Sequence, residues 1–188
     1  YGPVITLKPL VEALAATNIS DADAFLNGTL VTTGQAPTTV WVYYGTSDGG
    51  KNKAAWGTNH SFGVNASATP AGYSLQAGGL SAGNQYYYRY YASNSYGDVW
   101  SSAQSFWTRT KMRIYYNGYD KTETLTNFPA LVVFGTNIQG FSYASFQSTN
   151  GYDLRFYNYN ETQVLDYEVE LWDTNGLSYV WVEVPSLA

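Results

Sequence analysis

A chain of 188 residues and 20.8 kDa has room for one large domain or two small ones. Only 12% of it is charged while 18% is aromatic, with 19 Tyr and 6 Trp, a balance that excludes a disordered segment and favours β structure. Zero Cys, one His and a net charge of −5 exclude disulfide scaffolds, thiol catalysis, metal sites built on Cys or clustered His, and a phosphate-neutralising surface for nucleic acid.

In chain order, the opening residues YGPVITLKPL lack the charged and apolar regions of a signal peptide but hold a short apolar strand with Val4, Ile5 and Leu7. The absence of an initial Met points to a mature product or an excised segment. Residues 11–25, VEALAATNISDADAF, contain helix-forming Ala and Leu, but TNIS and the Asp pair interrupt the period, so a long helix is not expected there. TTVWVYYG (38–45) and NQYYYRYYASN (84–94) are the strongest strands. In the second of them Tyr86, Tyr88, Tyr90 and Ala92 share one face, read as the core face, and Tyr87, Arg89, Tyr91 and Ser93 share the other. Leu80 precedes Tyr86 by the spacing of a tyrosine corner, in which the phenol reaches back to backbone near a tight turn. GTSDGG (45–50) has no Lys-Ser/Thr ending for a phosphate loop and reads as a turn, and His60 lacks partners for a catalytic triad. Outward rings at Trp41, Tyr43, Tyr87 and Tyr91 are candidates for an interface or for stacking on sugars.

Charge divides the chain near Thr110. Residues 1–110 hold five basic and five acidic side chains, and 111–188 hold four and nine, so the deficit belongs to the second part. Two domains are therefore expected, 1–110 and 111–188, both all-β, and no apolar run approaches the ~20 residues of a membrane span. Within LDYEVELWD, Asp166, Glu168 and Glu170 alternate with Tyr167, Val169 and Leu171 and place three carboxylates on one strand face. Calcium is the metal such oxygens would suit, given ligands from further segments, and these three are its candidate ligands. Neighbours two apart along a strand stand ~6.5–7 Å apart, within the range of paired acids in glycoside hydrolysis, yet an acidic stripe on a solvent face is ordinary. No catalytic residue and no cofactor is assigned.

Leu80, Tyr86, Tyr90, Ala92, Asn94 and Gly97, with the closing FWT at 106–108, make residues 1–110 resemble a fibronectin type III domain. GTLVTTG (28–34) and VWVYYGTSDGGKNKAAW (40–56) are similar to the variant of large bacterial surface proteins, with Ala82 at a position often taken by Pro. The resemblance implies a spacer or binding unit and not an enzyme. LTNFP, GYDLRF, YEVE-x-W and VWVEVP, in that order, make the second part similar to the bacterial family catalogued as domain of unknown function 2341, a β-rich module of secreted and surface-anchored proteins. Members of that family continue into a further strand, whereas this chain ends at Ser186-Leu187-Ala188, so the resemblance implies a sheet edge left bare. Either the last strand is truncated or dispensable, or a neighbouring subunit's Val4–Leu10, through Val4, Ile5 and Leu7, or another of its apolar strands, is expected to pair along Val182 and Val184.

The expected architecture is two β-sandwiches in tandem, the first fibronectin type III-like, the second jelly-roll-like or incomplete. The expected function is that of a non-enzymatic subunit of a bacterial cell-surface fibre, layer or appendage, outside the cell, with copies of itself or neighbouring domains as partners. A carbohydrate-binding or adhesion module, with glycans as partners, is the alternative, and a glycoside hydrolase stands behind both.

Overall fold

A computed structural model describes residues 7–67, 70–115, 122–139, 141–146 and 148–187. The chain divides into two compact units, Tyr1–Met112 and Arg113–Ala188. In the first unit the strands are β1 (Leu10–Thr17), β2 (Asp23–Thr32), β3 (Thr38–Gly45), β4 (Thr58–Asn65), β5 (Ala71–Gly78), β6 (Gln85–Asn94), β7 (Gly97–Trp100) and β8 (Gln104–Trp107). Residues 11–16, with their Ala and Leu, are strand and not helix, because β1 pairs antiparallel along β2 and turns Val11 and Ala13 towards the core.

One sheet runs β1-β2-β5 and the other β4-β3-β6-β7, with β8 also on β6. Their inner faces meet over a single core: Val11, Ala24, Leu26, Leu30 and Ala77 from the first sheet, and Val40, Val42, Tyr88, Tyr90, Ala92 and Phe106 from the second. This is a two-sheet sandwich of the fibronectin type III kind. Alternation in β6 dictates the inner row, since Tyr86, Tyr88, Tyr90 and Ala92 are all buried. Buried phenols need acceptors or donors, and each has one. Tyr88 donates to the Leu14 carbonyl, Tyr90 to the Leu26 carbonyl at 2.9 Å, and the Ser81 N–H donates to the Tyr86 oxygen at 2.9 Å, closing the tyrosine corner beside buried Leu80.

The second unit holds β9 (Leu125–Phe134), β10 (Phe156–Tyr157), β11 (Val164–Leu165), β12 (Tyr167–Leu171) and β13 (Ser178–Leu187). Its sheet has the order β12-β13-β9, beside a two-stranded ribbon of β10 and β11. Val132 and Phe134 of β9 and Val180 and Val182 of β13 form the inner face with Leu165. The cover over that face comes from the aromatic side chains of Phe141 and Trp172 in the connections and Phe156 in β10, instead of from a second large sheet. Of the two forms expected for this half, the described residues build the incomplete sandwich.

The edge expected to be bare is the centre of the sheet. β13 lies between β12 and β9, so Val182 pairs with Tyr167 on one side and Ala130 on the other, and it is buried. Val184 pairs with Phe128 of β9, and past Glu183 no strand lies on its β12 side among the described residues. That side nonetheless lacks one of the donors that strand addition would use. The Glu183 N–H points at the Asp166 carbonyl (2.9 Å), and alternation puts the next amide on that side at position 185, a proline with no N–H to offer. Leu7 is tied to its own unit, where its carbonyl accepts from the Gln35 N–H at 3.3 Å and from Asn94 Nδ2 at 2.9 Å. Val4 and Ile5 lie outside the described residues.

Candidate functional site

Two sheet faces carry aromatic side chains outside the main cores, and their local geometry separates them. On the outer face of the first unit's larger sheet, β3 supplies Trp41 and Tyr43, β6 supplies Tyr87 and Tyr91, and β7 supplies Trp100. Residues 46–57, between β3 and β4, fold back across them. Gly49 leaves room for the Trp56 indole, where a Cβ would stand 2.8 Å from the ring, and Trp56 Nε1 donates to the Gly50 carbonyl at 3.3 Å. Lys53 places Nζ 3.8 Å from the Tyr91 ring centre. Arg89, between Tyr87 and Tyr91 on the strand, donates twice to Asp48, at 2.9 and 2.6 Å, and once to the Ser101 carbonyl at 2.9 Å. The Arg89 hydrogen bonds hold the Asp48 carboxyl below the usual carboxylate range.

Tyr43 and Tyr91 are therefore only 6% exposed, so as outward stacking residues they are corrected to members of a second small core. Trp41 and Tyr87 are half-buried against it. Rings in this cluster meet at 50° to 89° to one another, Tyr43 and Tyr91 edge to face and the others tilted, and present no shared flat surface to a ligand.

The second unit's sheet turns a different face outward. Val180 and Val182 point inward, so alternation sends Trp181 and Glu183 out, in register with Glu168 of β12 and with Leu131 and Pro129 of β9. The cross-strand row Glu168, Trp181, Leu131 runs through the middle of the sheet. Trp181 and Leu131 are each 39% exposed. Trp181 Nε1 donates to Glu170 Oε2 at 2.7 Å, which fixes the indole edge and leaves its face to solvent. An open groove of about 510 Å³ runs past the ring, lined among others by Asn127, Pro129, Asp166, Glu168, Trp181 and Glu183. Asn127 has a left-handed backbone (φ 51°) at the groove's rim, a conformation Asn tolerates.

Asp166, Glu168 and Glu170 do share this exposed side, but these carboxylates do not converge on one point. Among the described residues no three Asp, Glu or His side chains gather closely enough to hold a metal ion. The extended backbone keeps same-side residues apart, a register shift between Val169 and Leu171 interrupts the row, and Glu170 is engaged by the indole. Trp181 escaped the reading of the sequence although its signal was present: in YVWVEV the valines claim one face and leave Trp and Glu together on the other.

Residues 150–188 match the family described as Domain of unknown function (DUF2341), a stretch that contains β10 to β13 and with them Glu168, Glu170, Trp181 and Glu183. No curated protein matches the chain at a significant level. Among solved structures the chain is similar to the sensor domain of the anti-sigma factor RsgI4 of Pseudobacteroides cellulosolvens. For the shorter form of that domain the identity is 19%, with 55% of this chain and 96% of that one covered, at a TM-score of 0.42. For the longer form the values are 18%, 59% and 99%, again at 0.42. A fibronectin type III domain derived from the human KIAA0970 protein is similar at 16% identity over 59% of this chain and 81% of that one, with a TM-score of 0.38.

Proposed function

We propose that the chain is a non-enzymatic part of an extracellular surface protein, with the first unit as a spacer and the second as an adhesive, carbohydrate-binding module. The observation that carries this reading is the contrast between the two outer sheet faces. Aromatic rings of the first unit interlock beneath residues 46–57, whereas Trp181 stands open on the second beside Leu131 and a row of carboxylates. An indole face takes the C–H side of a sugar ring, and carboxylates accept from its hydroxyls. The low charge and aromatic richness of the chain, and the family likeness of residues 150–188, support the extracellular setting. Commitment of Glu170 to the indole supports binding over acid catalysis.

The test is retention on immobilised polysaccharides. The native chain is expected to be retained by at least one, and Trp181→Ala to elute in the void with an unchanged circular dichroism spectrum. Retention unaffected by Trp181→Ala would overturn the assignment of the face. A fibre or layer subunit is a second reading, favoured by β9. This ten-residue strand, Leu125–Phe134, is the outer strand of its sheet, and no further strand lies against it among the described residues. Electron micrographs of the native chain showing filaments would favour it.

A further inference from the structure

The groove beside Trp181 has a charge character that narrows the class of ligand. Asp166, Glu168 and Glu183 line it, Glu170 borders it through the indole, and no Lys, Arg or His is among its lining residues. None of the three lining carboxylates is bonded to a cationic side chain among the described residues, and the Asp166 and Glu183 backbones are joined by their own hydrogen bond at 2.9 Å, which keeps the two side chains neighbours across β12 and β13. An anionic glycan meets repulsion here, and a neutral one supplies hydroxyls but no counter-charge. We infer that the face takes a glycan bearing free ammonium groups, a polymer of non-acetylated 2-amino sugars, with one sugar ring on the Trp181 indole and ammonium groups against Glu168, Asp166 and Glu183. The inference rests on the adhesive reading of the second unit and adds the charge of its ligand. Stacking supplies the sugar's orientation, since the indole is fixed by Glu170, and the carboxylates supply the preference among sugars.

The experiment titrates the full chain by calorimetry with four probes: glucosamine oligomers, the same oligomers fully N-acetylated, cello-oligomers, and oligolysine. Glucosamine oligomers are expected to bind about tenfold tighter than either neutral series, as two or three exposed charge pairs together allow. That preference should shrink with added salt and vanish as the pH rises through the titration of the sugar ammonium. Glu168→Gln and Glu183→Gln should each reduce it several-fold, and Trp181→Ala should abolish sugar binding. Equal binding of all three sugar series would overturn the charge preference and leave the adhesive reading standing. Absence of binding to every sugar would overturn both. Oligolysine binding as tight as glucosamine and indifferent to Trp181→Ala would overturn the inference in favour of a basic peptide.

Discussion

Gly28 of β2 lies against Tyr90 of the facing sheet, and a Cβ placed there would stand 2.5 Å from the Tyr90 ring. Tyr90 cannot retreat, because its hydroxyl bonds the Leu26 and Tyr73 carbonyls at 2.9 and 3.2 Å and its ring stacks on Phe62. Gly28→Ala is therefore expected to overpack the core and destabilise the unit by ~1–3 kcal/mol, read as a lower denaturant midpoint at unchanged slope. The row of Tyr86, Tyr88 and Tyr90 was legible from period two alone, whereas the need for Gly at position 28 was not. Gly28 and Tyr90 are far apart in sequence, and only the stacking of one sheet on the other makes them neighbours.

Among elements, β13 shows how a strand's surroundings override its appearance. VWVEVPSL reads as a terminal strand with one bare side, yet it is the middle strand, flanked by β12 and β9. Where β12 stops, Pro185 faces the open side without an N–H, the usual protection of an edge. Pro185→Val is expected to leave the fold intact and to increase self-association in light scattering at rising concentration. Unchanged scattering would mean that this side is shielded by something other than the missing donor. Strand identity in this unit followed from alternation, but strand order did not, because pairing depends on which turns bring β9 and β12 alongside.

For the whole molecule, the buried phenols set a limit at alkaline pH. Burial pushes the Tyr88 hydroxyl up to about 12, and burial raises Tyr90 as well. In an unfolded chain both ionise near pH ~10. Below that value folded and unfolded states hold the same phenolic protons. Above it the unfolded chain releases protons that the folded one retains, so stability should fall progressively between about pH 10 and about 12. Thermal unfolding followed across that window, with phenolate absorbance as the reporter, should show the melting temperature dropping before Tyr88 ionises in the folded state. Tyr88→Phe, which removes one of the titrating groups, should make the decline shallower.

Composition and alternation by themselves determined that this protein is all-β, that its charge deficit lies in the second half, and that the inner row of β6 is tyrosine. The charge deficit is a matter of counting, and the other two depend on residues one or two positions apart, which extended backbone places on fixed sides. Tertiary structure alone decided which aromatic faces are sealed and which are open. Tyr43 and Tyr91 are covered because Gly49 and Trp56 let residues 46–57 fold over them, and Trp181 is open because Glu170 holds its edge while nothing among the described residues lies across its ring. Burial is settled by segments remote in sequence, so alternation can assign a side chain to a face but cannot say what lies against that face.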